Sequence, residues 1–504
     1  MSQIRKQSII SSVVVYIGFG LGFLNTYLFT REGGFTKSEY GLTGIFVAIA
    51  NVMFSFANFG MTAYIYKFYP YYDDNLPKKK NDMFSWAVLV SLIGFCLVVI
   101  SGIVFKDLVI RKFGQNSPEL VQYYYWIFPF GLGLTLYSIL ESYAWQLRES
   151  VVTNFLREVL FRLFTTILIV LTFAGILAKF DTFIRIYSFT YLGIAITLMI
   201  YLLLKGNFHI TFNVSIVTKK FFKKIVTFVS YIFSGILVYS IASVFDSILI
   251  ASVLKEGLAA VAVFSLAQNI ASIIQAPQRG IIASSIAALS KAWKDKDLAK
   301  INRIYHRSSI NQLIFAVGIF ALIWLNFTDG IKTFHFQTGY DKARWIFFFI
   351  GITRIIDMGT GVNAQIIGTS NLWKFEFFTG IILLIITLPL NYILTKYYLG
   401  ILGPAIASLF SFTVYNAIRY WFLKKKFNLQ PFTIKTLYTL ILGVLCFYCC
   451  SFLFDKHLGF IWIIIRSLAF IILYITGTLT LKLSPDIIPV VHTILKRSGI
   501  RKKN

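Results

Sequence analysis

Apolar runs recur about every thirty residues from Ile9 to Leu481, and most come near the ~20 residues that a helix needs to cross a hydrocarbon core. Backbone polar groups in lipid have no water to bond, so a chain built this way can satisfy them only as helices or as a closed barrel. Runs of this length and continuity belong to helices. Charged residues make up 14% of the chain against about a quarter in ordinary soluble domains, which excludes a soluble globular protein.

Reading apolar runs against charged or Pro/Gly-marked breaks predicts fourteen transmembrane helices. They lie near 9–30, 41–67, 83–105, 123–146, 157–178 and 184–205, then near 225–252, 258–281, 305–327, 342–364, 375–394 and 400–422, and finally near 435–454 and 460–481. The first run follows Arg5 and Lys6 like a signal peptide, but it is long and lacks a small-x-small cleavage site, so it reads as a retained helix. An all-α membrane protein results, with a first bundle over 1–205, a linker over 206–224, a second bundle over 225–422, and two extra helices with a basic tail over 423–504.

The chain holds 48 Lys and Arg against 21 Asp and Glu. In a soluble protein that balance would suggest a nucleic-acid partner, but here the basic residues sit in short loops between apolar runs, with no basic domain, so no nucleic acid is expected. Roughly two thirds of them fall on the face shared with the N-terminus, and the positive-inside rule then places both termini in the cytoplasm. Two loops on that face, Gly206 to Lys224 and Ala287 to Arg307, are long enough to form amphipathic helices on the membrane surface, where their lysines favour anionic membrane lipids. Outward loops are short, the longest running roughly from Lys106 to Gln122.

The halves also resemble each other. Trp126-Ile127-Phe128-Pro129-Phe130 at the start of the fourth helix matches Trp345-Ile346-Phe347-Phe348-Phe349 at the start of the tenth. Lys37, Phe46 and Asn51 of the second helix match Lys255, Phe264 and Asn269 of the eighth at nearly the same offset. Six helices separate the copies, so both enter the membrane in one direction, and the expected architecture is two pseudo-symmetric six-helix bundles facing a cavity that opens to either side.

An ionisable side chain at the bilayer centre costs about 3 kcal/mol, so each one requires a partner or a purpose. Arg354 and Asp357 fall on one face of the tenth helix, with Gly359, Gly361 and Asn363 following. They suit either a cavity arginine that holds a diphosphate while Asp357 orients it, or a self-neutralised structural pair. Glu141 and Asp246 have no opposite charge one turn away, and each reads as a candidate H+ or Na+ coupling site or as half of an interhelical pair. Gln275, Pro277 and Gln278 interrupt the eighth helix beside Arg279, as the mouth of a cavity would. Guanidinium is the preferred partner of phosphate, so Arg354, Arg279, Asn363 and Gln275 are the candidate substrate-binding residues. The remaining intramembrane amides, among them Asn25, Asn51, Asn58 and Asn416, read chiefly as links between helices. The four cysteines lie in apolar runs, so the Cys446-x-x-Cys449 spacing reads as packing, and neither a metal nor a catalytic group is expected.

Phe35-Thr36-Lys37-Ser38-Glu39-Tyr40-Gly41, Ala276-Pro277-Gln278-Arg279, the stretch Arg354 to Asn363, and Gly400 to Ser408 carry a resemblance to a known family. Over its whole length the chain resembles the polysaccharide transporters of the multidrug/oligosaccharidyl-lipid/polysaccharide exporter superfamily, including O-antigen flippases. The resemblance implies a MATE-like fold of six plus six plus two helices. It also implies movement of undecaprenyl-diphosphate-linked oligosaccharide from the cytoplasmic to the periplasmic leaflet of a bacterial inner membrane, in O-antigen, lipopolysaccharide, capsule or exopolysaccharide biosynthesis, beside other polysaccharide assembly proteins. A multidrug cation antiporter of the same superfamily should line its cavity with acidic residues. A lipid II flippase should carry more basic residues in its first two helices, and a membrane glycan polymerase should have a large outward loop.

Overall fold

The computed structural model describes residues 3–177, 180–207, 209–455 and 457–486. All fourteen expected segments are helical, and the chain separates into two compact units, Met1–Ala262 and Val263–Asn504. The first unit contains α1 (Gln3–Thr30), α2 (Lys37–Asn58), α3 (Met61–Asn75), α4 (Met83–Val104), α5 (Lys106–Phe113), α6 (Pro118–Gln122), α7 (Ile127–Gln146), α8 (Ser150–Asn154), α9 (Phe161–Phe173), α10 (Phe180–Tyr187), α11 (Thr190–Leu204) and α12 (Ile216–Val253). The boundary falls within α13 (Gly257–Ser272). The second unit continues with α14 (Ala276–Lys294), α15 (Leu298–Thr333), α16 (Ala343–Gly359), α17 (Asn363–Gly368), α18 (Trp373–Ile393), α19 (Gly403–Phe427), α20 (Ile434–Leu453) and α21 (Phe460–Thr480).

Eight of the described helical stretches are long and apolar enough to cross a membrane by length and composition alone, among them Lys37–Asn58, Lys78–Val104 and Leu298–Thr333. Local geometry interrupts two of the expected spans. The span over 41–67 divides where Phe59 and Gly60 both take left-handed backbone angles, and Asn58 bonds across the break to Thr62 through both its amide atoms. The span over 258–281 ends in a 3-10 turn at Ile273–Gln275 before Pro277 opens α14, as the Gln-Pro-Gln interruption predicts.

The two cytoplasmic surface helices expected from sequence are not separate elements. Lys219 to Lys224 form the first turns of α12, and Lys300 to Arg307 the first turns of α15. No Gly or Pro interrupts either helix near its basic end, so each of these helices of 38 and 36 residues runs on for more than 50 Å, well beyond a core of ~30 Å. The packing boundary likewise departs from the 205/225 division. α12 packs along α2 and α3, where Ser240 donates to the Asn51 carbonyl at 3.3 Å and Lys67 sits 3.9 Å from the Phe228 ring centre. At the end of α11, Lys205 Nζ donates to Glu149 Oε1 at 2.6 Å, a bond that pushes the lysine's pKa above its ordinary value.

Local chemistry explains the sequence signatures. Thr36 and Glu39 form a reciprocal capping box at the start of α2. Gly41 lies so close to the backbone of Leu258 that a Cβ would sit 1.8 Å from its carbonyl oxygen. A 3-10 turn lies beside each of the repeated Trp motifs: Tyr124–Trp126 includes the first tryptophan and leads into α7, and Tyr340–Lys342 precedes α16. Phe46 and Phe264, paired by the repeat, are each fully buried. Cys446 and Cys450 are buried against Leu313, Val317, Phe470 and Tyr474, whereas Cys449 faces outward, so the packed helix face carries Cys446 with Cys450 rather than the Cys446-x-x-Cys449 pair.

The core of α15, α20 and α21 is fastened at one end by an ion pair that the sequence reading missed. Arg466 donates to Asp329 at 2.5 Å, both side chains being almost fully buried. Asp329 also accepts from Thr333 and from the Gly459 backbone. Arg466→Leu leaves that carboxylate without its cation and is expected to cost about 3–5 kcal/mol, whereas the double change Arg466→Leu with Asp329→Leu should recover most of the loss. Thermal unfolding of detergent-purified protein checks both, and equal destabilisation by the single and double changes would contradict the assignment.

Candidate functional site

The segment from Arg354 to Asn363 does not continue as one helix. α16 ends at Gly359, Gly361 adopts a left-handed φ of +65°, and α17 begins at Asn363. A side chain at Gly361 would press on Ser308 and Ser309 of α15, and Ser309 donates to the Gly359 carbonyl at 2.5 Å. A neighbouring helix therefore makes a close approach at these glycines. Val362 completes the junction by donating to Ser308 Oγ at 3.3 Å.

Asp357 projects from the last turn of α16 into a cluster of amides. Gln278 Nε2 of α14 donates to one carboxylate oxygen at 3.1 Å, and Asn416 Nδ2 of α19 donates to the other at 3.3 Å. Asn416 is the hub of the cluster. It is 1% exposed, and its Oδ1 accepts from Thr360 Oγ1 and from Asn363 Nδ2, both at 2.9 Å. Gln278, Asp357 and Asn363, read separately from sequence, thus meet at one junction of α14, α16, α17 and α19.

Arg354 lies half-buried on α16 one turn before Asp357, and Gln275 is half-buried at the 3-10 turn that precedes α14. Arg279 belongs to α14, but its side chain lies outside the described residues. Asn363 is buried, with its amide nitrogen on Asn416 and its oxygen on the Ala364 backbone at 2.6 Å, so both of its polar atoms bond within the protein.

The carboxylates of the first unit have different surroundings. Glu141 of α7 receives Arg157 Nη1 at 3.0 Å from the π-helical turn Phe155–Leu160, the interhelical arrangement that was the alternative to ion coupling. Asp246 is half-buried on α12 about two turns from its end. Neighbouring Arg162 pairs with Glu158 at 3.0 Å, and its backbone carbonyl accepts from Asn25, linking α1 to α9.

Arg419 corrects the sequence reading most directly. The sequence reading did not single it out, yet it lies 4% exposed within α19, which continues to Phe427, and it pairs with Glu376 of α18 and with the Tyr415 hydroxyl. A lone Glu in the first turn of an apolar helix was the available signal, because such an acid requires a cation from another helix. Asp82 is a further buried acid missed from sequence. One of its oxygens accepts from the Ser215 backbone at 2.9 Å and from Thr218 at 2.8 Å, fixing the start of α12.

Residues 4–293 match the family described as "Polysaccharide biosynthesis protein". No curated protein sequence matches the chain. Among solved structures, a lipid II flippase, MurJ, in an inward closed conformation aligns with 98% of this chain and 100% of its own at a TM-score of 0.74 and 17% identity. An inward-facing multidrug resistance MATE transporter of the MOP superfamily aligns with 83% of this chain and 97% of its own at a TM-score of 0.65 and 13% identity. A Vibrio cholerae MATE transporter mutant aligns with 84% of this chain and 96% of its own, at a TM-score of 0.52 and 11% identity. The fold is thus that of these multi-pass membrane transporters. Asn416→Leu removes the hub of the amide cluster and should destabilise the second unit by about 1–3 kcal/mol, read as a lowered unfolding temperature of the purified protein. An unchanged unfolding temperature would show that the cluster contributes nothing to packing.

Proposed function

Because the chain belongs to the polysaccharide biosynthesis protein family, we propose that it flips an undecaprenyl-diphosphate-linked oligosaccharide from the cytoplasmic to the periplasmic leaflet of a bacterial inner membrane. The carrying observation is that a chain of this family shares, over 98% of its length, the fold of a protein that flips a lipid. The multidrug exporter fold accounts for less of it. The cargo is an O-antigen, capsule or exopolysaccharide repeat unit, moved by alternating access, with both termini on the cytoplasmic side where Lys and Arg concentrate.

Arg354 is the proposed diphosphate ligand. Its planar guanidinium suits phosphate oxygens, and Asp357 is held by Gln278 and Asn416, so the carboxylate keeps its place while the arginine engages cargo. Gln275, at the α13–α14 break, and Arg279 are the further proposed cargo contacts, and Asn363 supports the site by fixing the end of α16. Coupling to H+ or Na+ would fall to Asp357 or Asp246, since Glu141 is committed to Arg157.

In a strain lacking the gene, wild-type protein should restore surface glycan, and Arg354→Ala should not, although expressed equally. Loss of charge-assisted phosphate bonds is worth about 1.5–3 kcal/mol, or roughly ten- to a hundredfold in binding. Arg354→Lys should retain only part of the activity and Arg279→Ala should be impaired. Wild-type glycan with Arg354→Ala removes this residue from the site. Restored drug resistance without restored glycan would instead favour the cation antiporter.

A further inference from the structure

At the basic end of the second unit, the first turns of α15, the residues leading into α20 and the chain leaving α21 enclose a cavity of about 390 Å³. Ala299, Asn302, Arg303, His306, Arg307 and Ile310 line one side, a three-to-four-residue spacing that presents a single stripe of α15. Thr433, Lys435 and Leu483 line the other. Ile310 and Leu483 belong to the buried core of α15, α20 and α21, so the cavity has an apolar floor and a basic rim.

The rim is held in place by the backbone. Lys435 Nζ donates to the Lys482 carbonyl at 2.6 Å, and His306 Nδ1 lies 3.0 Å from the Pro431 carbonyl. Asp486 is the acid beside the cavity. One of its oxygens is 3.5 Å from Arg307 and the other accepts from Asn311 at 2.8 Å. Among the described residues, two guanidinium groups and an ammonium therefore face one carboxylate, which leaves the rim net positive. The outer face of α20 begins beside this rim, and its Ile434, Leu437, Tyr438 and Ile441 are exposed.

We propose that this cavity binds the phosphate of an anionic phospholipid headgroup, with the acyl chains lying along the exposed face of α20. A basic pocket between helix ends offers charge complementarity that a zwitterionic headgroup lacks. The apolar face next to it favours a lipid over free phosphate. Bound there, one headgroup would bridge α15 to α20 and α21, stabilising the folded protein through ligand linkage. The site is separate from Arg354 and Asp357, so its test does not depend on which cargo is moved.

Full-length protein in a neutral detergent would be titrated with phosphatidylglycerol, phosphatidylcholine or inorganic phosphate, with thermal unfolding and native mass spectrometry as readouts. Phosphatidylglycerol should stay bound and raise the unfolding temperature. Arg303→Gln with Arg307→Gln should weaken that binding by about tenfold or more. Arg307 pairs with Asp486, so the exposed Arg303→Gln alone serves as a second variant whose fold is not at issue. Arg111→Gln with Lys112→Gln, exposed on α5 of the other unit, should leave the binding unchanged. Equal stabilisation by phosphatidylcholine, an equal shift with inorganic phosphate alone, full retention by the arginine variants of α15, or loss in the α5 pair would each overturn the assignment.

Discussion

A charge taken out of water must find a counter-charge or hydrogen-bond donors inside the protein, and where it finds a counter-charge on another helix it ties the two together. Among the described residues three pairs do so: Arg466 with Asp329, Arg419 with Glu376, and Arg157 with Glu141. Each joins two different helical elements. Such a pair adds little net stability over a well-packed apolar contact, because desolvation offsets most of the attraction. Its effect is on register, since a displaced helix would expose two uncompensated charges to lipid.

Helices reveal themselves in sequence because the bilayer imposes length and hydropathy on each segment separately. The Gln275-Pro277-Gln278 interruption is legible for a similar local reason, and so is the capping box of Thr36 and Glu39. Partners across helices leave no such trace. Glu376 and Arg419 are 43 residues apart and Asp329 and Arg466 are 137 apart, so no local spacing pairs either arginine with its acid. Position in the chain misled as well. Lys219 to Lys224 look like a surface segment until the uninterrupted α12 is seen to carry them. The α2–α3 break was hidden because Phe59, a residue that rarely adopts left-handed angles, makes it together with Gly60.

The candidate site was legible in part. Sequence singled out Asp357, Gln278, Asn363 and Asn416 as polar groups within apolar helices, but spacing could not show that they share one junction. Asn416 has the central place because an amide can donate and accept at once. It donates to Asp357 while accepting from Thr360 and Asn363, so a single side chain satisfies three helices. Gly361 has a corresponding backbone role. Its left-handed turn ends α16 where Ser308 and Ser309 of α15 need room.

These two kinds of junction differ in what it costs to open them. Interhelical hydrogen bonds in membrane proteins average about 0.6 kcal/mol, because separated partners find other bonds. Separating a buried ion pair leaves charges in hydrocarbon and costs several times more. The contacts of α15 with α21 through Asp329 and Arg466 are therefore expensive to break, and that part of the second unit should move as one body. The amide junction of α14, α16 and α19 can exchange partners at small cost. A protein that must change shape to pass a charged headgroup has reason to place its candidate phosphate ligand, Arg354, next to the junction that yields most easily.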